Sequence, residues 1–328
     1  IPFKLVDEYE MNKRFAIVFP GQGSQAVGML DGWGSHPVVA QAVEEASDAL
    51  GEDLGQLIHE GPKEILALTT NTQPVMLLAG VAAWRVWCAE GGATPEVMAG
   101  HSLGEYSALV AAGALSLAQA IPLVRLRATA MQEAVPAGRG AMAAILGMDA
   151  QRVIAGCREA TEAFGTASHE VVEAVNFNDP VQTVIAGTRM AVEKACEILK
   201  SGGAKRALPL PVSAPFHSSL MKPAAEKLKE RLSRTELATP MIPVLNNIDV
   251  MVEHDPGRIR DALYRQAFGP VRWVQTIEAI RARGVETVVE SGPGKVLTGM
   301  VRRIDAGMSG LAVHDSVSLT EVLAHLRS

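Results

Sequence analysis

Cysteine is scarce: Cys88, Cys157 and Cys196 are the only thiols in 328 residues, and no two of them share a C-x-x-C or other metal-ligand spacing. That excludes a disulfide framework and a cysteine-based metal centre. It fits a reducing compartment, so the cytoplasm is the expected location and no metal is expected. Runs of Lys or Arg are missing too, and the net charge is −6, so nothing favours nucleic acid. No apolar stretch approaches the roughly 20 residues of a membrane span. Residues 1–10, IPFKLVDEYE, lack the charge pattern and length of a signal peptide and read as a vector-derived leader, set aside from fold reasoning. Internal repeats and low-complexity linkers are also lacking. What remains is a chain that is 48% hydrophobic and 20% charged, enough to bury a large core as one big domain with a smaller one.

From Met11 the pattern alternates strand and helix. FAIVF is an apolar strand running into PGQGSQ, and a helix follows over residues 36–50 with Pro37 in its first turn. NTQPVMLLAGVAAWRVWCAEGG reads as a long buried helix with Pro74 in its first turn and a stop at Gly91 and Gly92. SLAQAIPLVRLRATAMQEAV is a further helix, capped by Ser116, in which Pro122 predicts a kink. Then GAMAAILG, DAQRVIAGCREAT, VVEAVNF, VQTVIAG, TRMAVEKACEILKSGG and AKRALPLP give the order β-α-β-β-α-β. That order is the signature of a ferredoxin-like unit, an antiparallel four-stranded sheet with two helices on one face. The expected fold is therefore α/β, with a parallel-sheet domain over residues 11–137 and 209–328 and a ferredoxin-like insert over 138–208. After the insert come a helix from Ser219, the strand PVLNNI, helices around Asp261 and Trp273, the strand ETVVE and the loop SGPGKVLTG.

Chemistry concentrates in VMAGHSLGEYSALVAAGAL, residues 97–115. Its G-x-S-x-G, Gly100 to Gly104, between an apolar strand and an alanine-rich helix is the form of a nucleophile elbow, a sharp turn that lifts the Ser102 hydroxyl out of the sheet. A serine hydroxyl needs a base within hydrogen-bond reach. Of eight histidines, His36, His59, His169, His254, His314 and His325 sit in helical, polar or chain-end settings. His101 abuts the nucleophile but points away from it in an elbow. His217, in PVSAPFHSSLM, lies on a proline-punctuated segment where the insert returns to the large domain; base and helix cap before Ser218 are both open to it. GQGSQ is either a glycine-rich turn or a donor loop for an oxyanion. It is no phosphate loop, because no Lys follows at the required spacing, and SGPGKVLTG ends in G-K-V rather than G-K-[ST].

Taken together, FPGQGSQ, NTQP, AGHSLGEYSALVAAG, VRLRATAMQEAVP, GAMAAILG, VNFNDP, APFHSSLMKPA and ESGPGKVLTG resemble the malonyl-CoA:acyl carrier protein transacylases of type II fatty acid synthesis, in the family's order from Met11 onward. The resemblance implies an α/β-hydrolase-like large domain with a ferredoxin-like insert. It implies that Ser102 takes malonyl as an ester, that His217 is the base, and that the backbone N–H groups of Gln22 and Leu103 hold the oxyanion. It implies a dyad without a triad acid, the histidine being oriented by a backbone carbonyl from GPVRW, residues 269–273. Arg127 matches the residue that grips the malonyl carboxylate, although spacing alone does not choose it over Arg125 or Arg139. Phe216 matches a bulky position that goes with malonyl over methyl-branched units. Gln73, Asn178 and His101 count among the substrate-lining residues, though Gln73 before a proline and Asn178 in a hairpin turn also have ordinary structural reasons. Arg272 stands where some relatives carry an amide, which leaves its side-chain role open. The partners implied are malonyl-CoA and acyl carrier protein, with no resident cofactor, and the chain is expected to be a monomer. Rival functions are a malonyl loader of a polyketide pathway, an α/β-hydrolase thioesterase, and an inert carrier-binding scaffold. The arginine and the missing triad acid argue against the hydrolase, and the intact serine, histidine and oxyanion set against the scaffold.

Overall fold

A computed structural model describes residues 13–165, 167–212 and 214–328, so the leader assigned to residues 1–10 lies outside the described residues. The chain divides into two compact units, one of residues up to Pro122 with Pro240–Val244 and Ile280–Ser328, the other of Leu123–Thr239 with Leu245–Ala279. The expected insert, 138–208, falls inside the second unit, which also takes in residues on either side of it.

The chain enters the first unit through β1 (Phe15–Phe19), whose five residues are all buried, as a strand covered on both faces must be. Next come α1 (Pro37–Leu50), with Pro37 at its start and the His36 side chain accepting from the Val38 N–H, and α2 (Leu54–Glu60), α3 (Lys63–Leu66) and α4 (Thr69–Ala89). α4 begins at Thr69, two residues before the expected segment, so Pro74 lies inside it rather than in its first turn. It is buried along nearly all its length. β2 (Val97–Gly100) and α5 (Gly104–Ala111) follow. α6 (Leu117–Glu133) is one continuous helix through Pro122 and crosses from the first unit into the second. The Gln119 N–H donates to the Ser116 hydroxyl at its start, so Ser116 is the expected cap.

The second unit holds β3 (Gly140–Leu146), α7 (Ala150–Glu162), β4 (Val172–Asp179), β5 (Gln182–Thr188), α8 (Arg189–Ser201) and β6 (Arg206–Pro209). They form an antiparallel sheet in the order β4-β5-β3-β6. The pleat sorts the core by alternation: Ala143 and Ile145 pack with Val153 and Cys157 of α7 and Ala195 and Leu199 of α8. Met142 and Ala144 face the other way, where Phe216 packs on them. α9 (Lys222–Ser233) follows a short 3-10 turn over Ser219–Met221.

β7 is only Val244–Leu245 rather than the whole of PVLNNI, because the Asn246 side chain accepts from the Asp249 N–H and turns the backbone away. α10 (Pro256–Gln266) and α11 (Trp273–Ala282) lead back to the first unit, where β8 (Thr287–Ser291), α12 (Val296–Ile304), β9 (Ser309–Val313) and α13 (Ser316–Arg327) complete the chain. The first sheet runs β7-β2-β1-β8-β9, and β1 pairs in parallel with both β2 and β8, Ile17 lying opposite Met98 and Val289. α2, α3, α12, β9 and α13 are additions to the expected elements, α12 taking up the last four residues of the expected loop SGPGKVLTG. β9 is a half-buried edge strand, SGLAV, whose one-sided burial gives a weak apolar signal.

Candidate active site

In the first unit, three residues join β2 to α5, and the turn is as tight as the motif predicts. A Cβ at Gly100 would lie 1.9 Å from the Gly104 carbonyl carbon, and one at Gly104 would lie 2.1 Å from the Phe19 carbonyl oxygen, so neither position admits a side chain. Between them Ser102 is held at φ 54, the left-handed region that residues with a Cβ rarely adopt. The His101 N–H donates to the Phe19 carbonyl at 3.0 Å and the Gly104 N–H to the His101 carbonyl at 2.9 Å, which pins the turn against the end of β1. Ser102 is half-buried and the Leu103 side chain is buried, anchoring the turn beside it.

The loop after β1 lies against this elbow. A Cβ on Gly21 would fall 2.6 Å from the His101 carbonyl oxygen, so glycine is required for the approach, and the His101 ring Nδ1 would lie 3.7 Å away. The Gln22 side chain donates to the Thr69 hydroxyl at 3.2 Å and fixes the loop to α4. The backbone N–H groups of Gln22 and Leu103 donate to no backbone acceptor among the described residues. Gln73 is buried and sits four residues after Thr69, hence on the same helical face that meets Gln22.

In the second unit, His217 is 4% exposed and also has a left-handed backbone, φ 65. Its Nδ1 lies 2.9 Å from the Gln266 carbonyl oxygen. A carbonyl only accepts, so Nδ1 carries the proton and Nε2 of the neutral ring is the proton acceptor. Nδ1 is thus engaged by Gln266 rather than by the backbone that follows His217. This contact also corrects the source of the orienting carbonyl, expected from residues 269–273. Within that segment the Val271 carbonyl accepts from the Phe177 N–H, and the Arg272 carbonyl accepts from the Thr276 N–H and hydroxyl. Gln266 ends α10, where carbonyls lose their helical partners and turn to other donors.

Burial decides among the arginines. Arg127 is 2% exposed and donates from Nη2 to the Gln266 side-chain oxygen at 3.0 Å, whereas Arg139 is exposed at the surface facing Glu170 and Arg125 is half-buried. Arg127, Gln266 and His217 thus form one cluster in this unit. Phe216 is half-buried on the sheet face opposite α7 and α8, and Asn178 is buried near the end of β4. The Arg272 side chain is engaged by Gln275 and the Ile248 carbonyl. Gln266 escaped sequence reasoning, yet a signal was present: with Ile259, Ala262 and Leu263 it completes the buried face of α10, a glutamine in a core register. Among the described residues no group of His, Cys, Asp or Glu has the makings of a metal site.

Residues 16–319 match the acyl transferase domain family. The chain is 51% identical over 311 residues to the malonyl CoA-acyl carrier protein transacylase of Salmonella typhimurium, covering 94% of this chain and 99% of that one. It superimposes with a TM-score of 0.91 on the acyl-carrier-protein S-malonyltransferase of Burkholderia pseudomallei, at 59% identity over 95% of this chain and 99% of the other. A malonyl-transacylase solved in complex with a type II PKS acyl-carrier protein gives a TM-score of 0.92 at 51% identity, covering 95% of this chain and all of that one. The chain therefore belongs to the acyl transferase domain family and, within it, to the malonyl-CoA:acyl carrier protein transacylases.

Proposed function

We propose that this chain moves the malonyl group from malonyl-CoA to the phosphopantetheine thiol of acyl carrier protein through a malonyl ester on Ser102, supplying extender units for fatty acid synthesis. The observation that carries this reading is the elbow, where Ser102 holds φ 54 between two glycines that no other residue could replace. Ser102 Oγ attacks the thioester carbonyl while His217 Nε2 takes its proton, and the N–H groups of Gln22 and Leu103 receive the developing oxyanion. Collapse expels CoA thiolate, which takes the proton back from His217. The carrier thiol then gives its proton to His217 and attacks the ester, releasing malonyl-carrier and restoring the serine hydroxyl. Arg127 receives the malonyl carboxylate, with Gln73, Asn178, Phe216 and His101 lining the acyl site. A carbonyl rather than a carboxylate behind the imidazole supports a dyad over a hydrolase triad.

The finer reading of the fold is an α/β-hydrolase-like domain with a ferredoxin-like subdomain, supported by the parallel sheet of the first unit and the β4-β5-β3-β6 order of the second. No resident cofactor enters the scheme. We read the chain as a cytoplasmic monomer; among the described residues no helix is long and apolar enough to cross a membrane. The decisive experiment is incubation with malonyl-CoA, quenching, and peptide mass spectrometry. The adduct is expected on Ser102, with Ser102→Ala losing roughly a million-fold in transfer if the dyad acts as a unit; an adduct on another residue overturns the assignment. Because one relative was solved with a type II PKS carrier, transfer to fatty-acid and polyketide carriers measured side by side decides the pathway.

A further inference from the structure

We propose that the side chain of Gln266 is a positioning residue that sets the acyl-group preference, by holding the Arg127 guanidinium through a neutral oxygen while its own backbone holds the base. This inference rests on the reading of Arg127 as the receiver of the malonyl carboxylate. Gln266 is fully buried and does two things at once: its Oε1 accepts from Arg127 Nη2 at 3.0 Å, and its carbonyl oxygen lies 2.9 Å from His217 Nδ1. The end of α10 that carries it is itself clamped, because the preceding Arg265 donates from both terminal nitrogens to the two Asp249 carboxylate oxygens at 2.7 and 2.6 Å. A residue fixed this firmly holds the guanidinium and the imidazole in register with each other.

The chemistry of the acceptor decides what Arg127 can do. A buried guanidinium needs hydrogen-bond acceptors. A carboxylate in the place of Gln266 would satisfy that need, but it would also neutralise the charge and occupy part of the planar fork that a substrate carboxylate must engage. An amide oxygen orients the fork without adding a countercharge of its own. Discrimination between a malonyl and an uncharged acyl group then depends on a neutral residue at 266 as much as on the arginine at 127.

The test measures kcat/KM for malonyl-CoA and acetyl-CoA in the full chain, with thermal melts to confirm folding. Gln266→Glu supplies an internal carboxylate of nearly the same size, and its malonyl-to-acetyl ratio should fall tenfold or more, on the order of one lost charge-assisted contact, mostly through a raised malonyl KM. Gln266→Met removes the acceptor without adding charge and should give an intermediate ratio. Acetyl transfer reports the histidine, since either substitution leaves the backbone carbonyl in place. A Gln266→Glu ratio within about twofold of wild type, or one above that of Gln266→Met, overturns the proposal. If Gln266→Glu does not fold, Gln266→Met decides alone: a reduced ratio supports the proposal and an unchanged one overturns it. Arg127→Ala in the same assay separates the two levels. Loss of malonyl preference in Arg127→Ala with none in the Gln266 variants sinks only the role of Gln266, whereas equal loss of both substrates in Arg127→Ala sinks the reading beneath it.

Discussion

At the scale of single residues, the role proposed for Arg127 is one that a malonyl transferase needs and a general esterase does not. A guanidinium 2% exposed is desolvated at a cost that only good acceptors offset, and a malonyl carboxylate supplies two in parallel. On the proposed reading Arg127→Ala removes that contact, worth about 1.5–3 kcal/mol, so malonyl transfer should fall roughly ten- to a hundredfold in kcat/KM. Acetyl-CoA has no carboxylate to lose, and its transfer should hold steady or rise. Arg127→Lys restores the charge without the planar fork and should recover only part of the preference. The paired kcat/KM values for the two thioesters check this, and an equal drop for both would make Arg127 a structural residue. Seen from the sequence, Arg125, Arg127 and Arg139 were equivalent candidates by spacing; their burial, which separates them, is a property of packing.

The element that matters most is the strand-turn-helix of β2 and α5. Its backbone strain at Ser102 is sustained by contacts that a single methyl group would break: alanine at Gly100 would place Cβ 1.9 Å from the Gly104 carbonyl carbon, a distance no rotamer can relieve because the obstacle is backbone. Gly100→Ala should therefore shift the helix start, lower the melting temperature by several degrees on the order of 1–3 kcal/mol of overpacking, and slow serine malonylation more than it lowers stability. Melting curves and a malonylation time course check this; wild-type rates in a stable Gly100→Ala protein would show that the elbow geometry is dispensable. This element was legible in advance because its determinants are local, five residues with an apolar run before and small residues after. The start of α4 and the edge strand β9 were less legible. Helix starts depend on a neighbouring turn that places Thr69, and a half-buried edge strand carries too little periodicity to declare itself.

For the whole molecule, the titrating groups bound its acid stability in opposite directions. Arg265 holds the Asp249 carboxyl below its usual 3.8, and the hydrogen bonds from Ser318 at the start of α13 hold Asp315 below the same value. Both groups stabilise the fold above about pH 3.8, and that contribution is lost as pH falls through their depressed folded values. Burial pushes Glu290 above its usual 4.5, so the folded state takes up its proton first and stability declines as pH rises through that window. Melting temperature should then drop as pH is lowered from about 4 toward 2, less steeply in Asp315→Asn. Glu290→Gln should flatten the slope just above pH 4.5, and parallel pH profiles in all three proteins would contradict the assignment. The sequence by itself determined the alternation of strands and helices, the β-α-β-β-α-β order of the second unit, and the serine in its glycine frame, because patterning and turn chemistry act over a few residues. Tertiary structure alone decided which carbonyl orients His217 and which side chain holds Arg127. Gln266 supplies both from 49 and 139 residues away, and contacts at such separations are made by the packing of a helix end, not by any local preference of the chain.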